Sequence, residues 1–298
     1  MFKPNTIKLG IAPINWTNDD LPELGGEIPF ETCIAEMAQA GFTGSEVGNK
    51  YPRDPKILQK KLKQVGLEIS SAWCSTYFTE PNREEETIRS YTSFMKFLKA
   101  MGAKYVNLAE CGHCTQGSNL PILANKPILN EKLWRALTTG LEKLGEIAKQ
   151  NGMTNVYHYH MGTSVQTQGE IARLMQNTNP ELLSLLLDTG HLYFAGGDSL
   201  QLIKDFGDRI KYVHLKDIRK NVLADTKHLG LCFLDAVKAG VFTVPGDGVI
   251  DYQPIFDALS RINYSGWFIV EAEQDPAKAN PLQFAKKARN YIKEKAGV

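Results

Sequence analysis

Short apolar runs alternate along this chain with stretches in which apolar positions recur every three to four residues. The first pattern belongs to strands buried on both faces, the second to helices with one apolar side. Runs of strand length fall at residues 7–14, 42–47, 68–73, 105–109, 155–160, 183–188, 210–215 and 267–272. Helical periodicity predicts helices over 30–40, 56–65, 84–101, 131–150, 168–175, 199–206, 229–239 and 252–261, with a last one over 281–295. This alternation is the signature of βαβ units and a parallel sheet. Four of the helices run into glycine, at Ala40-Gly41, Val65-Gly66, Met101-Gly102 and Asn151-Gly152, where a left-handed residue ends a helix at little cost.

Two folds compete for such a pattern, a doubly wound open sheet and an α/β (β/α)8 TIM barrel. Eight strands are the number a barrel needs, and no glycine-rich dinucleotide fingerprint follows the first strand. The barrel is therefore expected. No linker or charge block divides the chain, so residues 1–298 read as a single domain. A loop insertion between strands seven and eight, at about 217–266, carries a helix, the turn Pro245-Gly-Asp-Gly248 and another helix.

Composition narrows the partners. Hydrophobic residues at 43% and charged residues at 22% support a large core and exclude a disordered or disulfide-stapled chain. With 34 basic against 33 acidic residues, the net charge of +1 gives no general attraction to nucleic acid or anionic membrane. The longest apolar run, 182–187, is far short of the ~20 residues of a membrane span. The N-terminal apolar stretch is interrupted by Lys8, Pro13 and Asn15, unlike a signal peptide. Five scattered cysteines then point to free thiols in a reducing cytoplasm. Monomer and homo-oligomer both stay open.

Active sites of parallel barrels gather at the carboxyl ends of the strands. Polar residues concentrate there: Glu46 after strand two, Glu110 after strand four, His158 and His160 on strand five, Asp188 and His191 after strand six, His214, Lys216 and Asp217 on strand seven, Glu271 and Glu273 after strand eight. Alternate residues on a strand share a face, so His158 goes with His160, His214 with Lys216, and Glu271 and Glu273 with Trp267 and Ile269. One such residue alone reads as a helix cap or a packed core histidine. The repetition over strands four to eight reads as a site. His, Asp and Glu donors without thiolates suit Mn²⁺, Co²⁺, Fe²⁺ or Zn²⁺ at a catalytic centre, and the imidazoles tilt against Mg²⁺.

Three further motifs are weaker. Cys111-Gly-His-Cys114 is a lone CxxC without the partner of a zinc site or a redox fold, and it reads as a loop lining the pocket, with His113 towards substrate. Pro245-Gly-Asp-Gly248 lacks the Lys and Ser/Thr of a phosphate loop and reads as a substrate-facing turn. Trp16 and Trp73, near the ends of strands one and three, either wall a sugar ring or pack the barrel rim.

The ordered set Glu46, Glu110, His158-Tyr-His160-Met-Gly-Thr163, Leu187-Asp-Thr-Gly-His191, Val213-His-Leu-Lys-Asp217, Pro245-Gly-Asp-Gly248 and Val270-Glu-Ala-Glu-Gln-Asp-Pro276 resembles the xylose-isomerase-like barrel superfamily. Within it the chain is similar to the inosose dehydratases, the 2-keto-myo-inositol dehydratases of myo-inositol catabolism, over nearly its whole length. The resemblance implies a hydro-lyase that removes water from 2-keto-myo-inositol (scyllo-inosose) to give 3D-(3,5/4)-trihydroxycyclohexane-1,2-dione. It implies Mn²⁺ or Co²⁺, held at His158, Asp188, His214 and Glu271, and glutathione as a second cofactor. Strand five departs from the superfamily, with His158 where a Glu is usual. Either His158 ligates, or it touches substrate while Glu46, Glu110 or Glu273 supplies a ligand. His160 and Glu273 are expected to move protons, and Lys216 and His191 to orient hydroxyls. Glu46, Trp73, Glu110 and His113 are expected to contact substrate. The alternatives are a ketose 3-epimerase or sugar isomerase with the same enolate chemistry, an endonuclease IV-like enzyme with three zinc ions, and a non-catalytic sugar-binding protein.

Overall fold

The computed structural model describes residues 2–298. Strands β1 (Ile7–Ile11), β2 (Gly44–Glu46), β3 (Glu68–Ser71), β4 (Trp73–Thr76), β5 (Tyr105–Glu110), β6 (Thr154–Tyr157), β7 (Ser184–Asp188), β8 (Ile210–Leu215), β9 (Asp217–Ile218), β10 (Phe242–Thr243) and β11 (Gly266–Val270) occur in that order. Nine of them form one parallel sheet, ordered β3-β2-β1-β11-β8-β7-β6-β5-β4. Its two ends, β3 and β4, are halves of one run interrupted at Ala72. The Asn107 N–H donates to the Ala72 carbonyl (3.2 Å), and Ser71 Oγ donates to the Tyr105 carbonyl (3.0 Å). Those bonds close the ring, so the expected eight-stranded barrel is present, with its third strand bent.

Most helices lie where periodicity predicts them, including Glu131–Gln150, Ser199–Phe206 and Tyr252–Arg261 without a shift at either end. The segment after β8 differs. A single helix over 229–239 is expected there, but two form, Lys220–Leu229 and Phe233–Ala239, broken at Gly230 (φ 63°). The first has few apolar residues, which weakens its periodicity. A short helix at Thr189–Phe194 also escapes the pattern, because the Asp188 carboxylate that caps it ends the preceding strand. Between the two new helices and the barrel, β9 and β10 pair antiparallel.

Three apolar clusters result. The largest fills the space between sheet and helices. Inside the barrel, Ala12, Val156, Leu186, Tyr212, Trp267 and Ile269 pack together. Gly10 and Gly44 make room for them, since a Cβ at Gly44 would lie 2.3 Å from the Trp267 ring and one at Gly10 2.6 Å from Ile269 Cδ1. A third cluster, with Leu21, Ile122, Met161, Phe194, Phe233 and Phe242, brings the inserted segment together with loops from other strand ends. Among the described residues, no helix is long and apolar enough to cross a membrane.

Candidate metal centre and catalytic cavity

The interior cluster fixes what stands above it. Two residues past Val156 comes His158, and two further His160. Asp188 follows Leu186, His214 and Lys216 follow Tyr212, Glu271 and Glu273 follow Ile269, and Glu46 follows Gly44. The two-residue repeat of extended chain thus carries one inward face out of the apolar core and into a polar nest. All eight of these side chains are buried. Strands β6 and β11 end at Tyr157 and Val270, earlier than expected, yet the His158 N–H still bonds the Leu108 carbonyl (2.7 Å) and the Glu271 N–H the Leu215 carbonyl (3.3 Å).

His214 is the centre of the nest. Its Nε2 lies 3.0 Å from Glu46 Oε1, while Nδ1 lies 2.9 Å from Glu271 Oε2 and 3.5 Å from Asp188 Oδ2. Glu46 also accepts from Tyr212 Oη (2.9 Å) and Asn107 Nδ2 (2.6 Å). His158 Nε2 stands 3.3 Å from Asp188 Oδ2. The Lys216 ammonium, wholly buried, reaches Glu271 (2.6 Å), Glu273 (2.8 Å) and His191 Nε2 (2.9 Å) and packs over the Phe242 ring. His160 Nε2 is 3.6 Å from Glu273 Oε1, and the His160 and His191 rings lie 3.7 Å apart.

Burial and charge pull these groups in opposite directions. Burial disfavours charge on all of them, but Lys216 and the imidazoles hold Asp188, Glu271 and Glu273 below the usual carboxylate range. Burial likewise works against charge on His214 and Lys216, yet Glu271 with Glu46 or Glu273 raises both. His158 and His191 are lowered by burial, His191 further by His160 and Lys216 beside it. Without an ion, the nest thus holds neutral His158 and His191 beside charged His214 and Lys216, all against ionised carboxylates, and a bound metal would take the place of the His214 proton.

The donor set fits a divalent ion. One ligand atom from each of His158, Asp188, His191 and Glu271 lies within 4.8 Å of the others, and Glu46, His214 and Glu271 form an overlapping group. The Nδ1 atoms of His158, His191 and His214 are buried without a hydrogen-bond partner among the described residues. For His214 the point is sharp. With Nε2–H donating to Glu46, Nδ1 faces Glu271 and Asp188, a position that takes either a proton or, in its place, a metal cation.

A cavity of about 480 Å³ opens over the nest. Glu46, His160, Glu271 and Glu273 form its buried part with half-buried Trp73 on the wall, and Asp19, Asp20, Asn49, Arg53 and Gln116 line its more exposed part. Trp73 sets its ring edge-on to His158 and to His160, each at 5.3 Å. Phe233 and Phe242 of the inserted segment lie 5.2 Å from the His160 ring and 5.0 Å from the His191 ring. Lys216 and His191 are behind this lining and do not border the cavity.

Several expected site residues lie elsewhere. Glu110 belongs to the opposite face of its strand, with Val106 and Leu108, which pack in the outer core. Its carboxylate accepts from Thr76 Oγ1 (2.7 Å), Phe78 N (3.1 Å), Thr79 N (3.1 Å), Thr79 Oγ1 (2.8 Å) and Gly112 N (3.2 Å), so it fastens two loops. Substitution Glu110→Ala should cost roughly 3 kcal/mol by stranding buried donors, seen as a lower urea midpoint, while Mn²⁺ affinity of the folded protein stays the same. His113 is exposed, with φ 58° and its ring 3.3 Å from the Thr79 carbonyl, although Cys111 and Cys114 on either side do border the cavity. Trp16 is fully buried and donates to Glu36 (2.6 Å), leaving Trp73 alone on the cavity wall. The Pro245–Gly248 turn is held from within: Asp217 accepts from Gly248 N (3.2 Å) and Ile250 N (2.9 Å), and Asp247 pairs with Arg219 (2.8 Å). Sequence reading missed Asn107 and Tyr212. Parity signals both, since they share the inward face with Tyr105 and His214. The loop residues Asp19, Asn49 and Gln116 carry no such signal.

Comparison with known proteins agrees with this geometry. Residues 34–295 match the xylose isomerase-like TIM barrel family. An inosose dehydratase of Geobacillus thermodenitrificans (strain NG80-2) is 55% identical over 299 residues, and one of Bacillus cereus (strain AH820) 56%, with 100% of both chains covered in each case. Among solved structures, the IOLI protein with a binding zinc atom superimposes with a TM-score of 0.74 at 17% identity, covering 97% of this chain and 98% of the other. A D-allulose 3-epimerase from Methylomonas sp. in complex with D-allulose gives 0.69 at 19% identity over 99% of each chain. At such identities the two structures share the fold.

Proposed function

We infer the function from the premise that this chain belongs to the xylose isomerase-like TIM barrel family and, within it, to the inosose dehydratases. It is a metal-dependent dehydratase, a carbon–oxygen lyase acting on a cyclic polyol ketone. The reaction proposed is loss of water from 2-keto-myo-inositol to give 3D-(3,5/4)-trihydroxycyclohexane-1,2-dione, with Mn²⁺ or Co²⁺ as the ion and the reducing cytoplasm as its compartment. The observation that carries this reading is His214, pinned at Nε2 by Glu46 with Nδ1 turned to Glu271 and Asp188.

Asp188, His214, Glu271 and His158 are proposed to hold the ion. When bound, it supplies Lewis-acid polarisation of the keto group, which makes the α proton removable. His160 and Glu273, which border the cavity 3.6 Å apart, share the proton transfers. One takes the proton from the α carbon and the other protonates the departing β-hydroxyl. The C–H and C–O bonds break, a C=C bond forms, and the enol left behind tautomerises to the diketone. Trp73 offers a flat apolar face to the ring. Lys216 and His191 do not reach the cavity, so the expected role of orienting hydroxyls passes to the mouth residues. Lys216 instead holds Glu271 and Glu273 in place through its two short ion pairs. The aromatic rings of the inserted segment keep water away from the imidazoles.

Metal-stripped protein incubated with 2-keto-myo-inositol should lose substrate only when Mn²⁺ or Co²⁺ is restored, with a product lighter by one water. An epimerised ketose at unchanged mass would refute the dehydratase reading. Omitting glutathione from the same assay tests whether the thiol is needed at all. His158→Ala should weaken Mn²⁺ binding by about 10–100-fold in calorimetry. Unchanged affinity would make His158 a substrate contact.

A further inference from the structure

The cavity is charged in a way the reaction does not require. Five carboxylates border it (Asp19, Asp20, Glu46, Glu271, Glu273) against a single guanidinium, that of Arg53. Three of the five are buried among the nest residues. The other two, Asp19 and Asp20, lie on the loop after β1 and keep solvent access. They differ in what they already bind. Asp20 accepts a short bond from Gln116 Nε2 (2.6 Å). Asp19 has only the Asn49 N–H, at 3.4 Å, and no ion-pair partner among the described residues. An ionised carboxylate has about four acceptor positions, so Asp19 faces the cavity with most of its capacity free. Protein around it is dense enough that burial raises the Asp19 carboxyl to about 6, which leaves it mainly ionised at neutral pH.

We propose that Asp19 is a specificity-determining residue of this enzyme: it accepts hydroxyl donors of the ring at the end remote from the metal nest and repels ketoses that carry phosphate there. This deepens the proposed function and rests on it. A neutral polyol has only hydroxyls to offer, and a carboxylate is the acceptor that binds them most strongly. The same charge beside Asp20 disfavours a second anion at the mouth, so acceptance and rejection come from one group.

The test uses the Mn²⁺-loaded full-length enzyme. Asp19→Ala should raise KM for 2-keto-myo-inositol about tenfold with kcat within about threefold and Mn²⁺ affinity unchanged, the pattern of lost uniform binding. A deoxy analogue lacking the hydroxyl opposite the ketone should lose about the same tenfold with wild-type protein but nothing further with Asp19→Ala. Asp19→Asn should make myo-inositol 1-phosphate a tighter inhibitor than it is of wild type. Unchanged KM in Asp19→Ala, or unchanged phosphate inhibition in Asp19→Asn, overturns the proposal. If wild-type enzyme binds the ketone calorimetrically but does not dehydrate it, the functional reading fails alone, and Asp19 is then judged on Kd. If it does not bind the ketone, both fall.

Discussion

Glu271→Ala should lower turnover of 2-keto-myo-inositol by about a thousandfold or more and remove measurable Mn²⁺ binding. Glu271 is the one carboxylate common to two of the ligand groups, and it borders the cavity as well. Its Oε2 lies 2.9 Å from His214 Nδ1 and its Oε1 2.6 Å from Lys216, so its loss leaves Nδ1 only Asp188, at 3.5 Å. Charge stabilisation of an enolate by a divalent ion is worth several kcal/mol, and about 4 kcal/mol corresponds to a thousandfold. Glu271→Gln keeps the shape while removing the charge, and it separates ligation from packing. Titration calorimetry and a turnover assay measure both variants. Wild-type Mn²⁺ affinity in Glu271→Ala would sink the ligand assignment and move the ion towards His160, His191 and Glu273, the third group that could hold one.

The second large effect is on stability. Lys216 is completely buried and its ammonium serves Glu271, Glu273 and, at 3.8 Å, Asp188. Lys216→Met keeps the apolar stem but leaves three buried carboxylates facing one another. Breaking a buried ion pair from one side typically costs about 3–5 kcal/mol, and that is the loss expected in urea unfolding of the metal-free protein. The pH dependence has a defined sign. In wild type these carboxyls are lowered, so their stabilisation is full above the unfolded-state pKa and disappears as pH falls through the folded values. In the variant the Lys216 share of that lowering is gone and only the imidazoles oppose burial and mutual repulsion, which protonation then relieves. The gap between variant and wild type should therefore shrink as pH falls from about 7 to about 5. Saturating Mn²⁺ should narrow it too, since an ion bound only by the folded state restores positive charge to the nest. Equal stability of the two proteins at neutral pH would mean that Lys216 is dispensable to the nest.

The barrel and the inward faces of its strands were legible because extended chain repeats every two residues. Trp267 and Ile269 point into the barrel, so Glu271 and Glu273 had to follow; Tyr212 does the same for His214 and Lys216. The same rule, applied to strand β5, excludes Glu110 and selects Asn107. The expectation for Glu110 failed because a strand-end carboxylate was counted without its parity. Where the chain leaves the strands, the rule has nothing to act on. His113 sits in a left-handed turn and points away, while Asp19 enters the cavity from a loop whose course is set by Asn18 accepting the backbone N–H groups of Asp20 and Leu21.

By itself the sequence determined an eight-stranded parallel barrel and the residue types gathered at its carboxyl end. Both follow from periodicities that each short segment carries on its own. Only the tertiary structure decided which of those groups meet. Asp188 is registered against His214 across β7 and β8, and Ile269 against His214 across β8 and β11, which brings Glu271 and Asp188 to the same ring nitrogen, Nδ1, while Glu46 takes Nε2. Those registers depend on how the whole ring closes at Ala72, and so do the nitrogen that faces the carboxylates and the lysine that holds them. A strand records its two faces in its own residues; its neighbours' offsets are fixed only when all eight strands share one closed sheet.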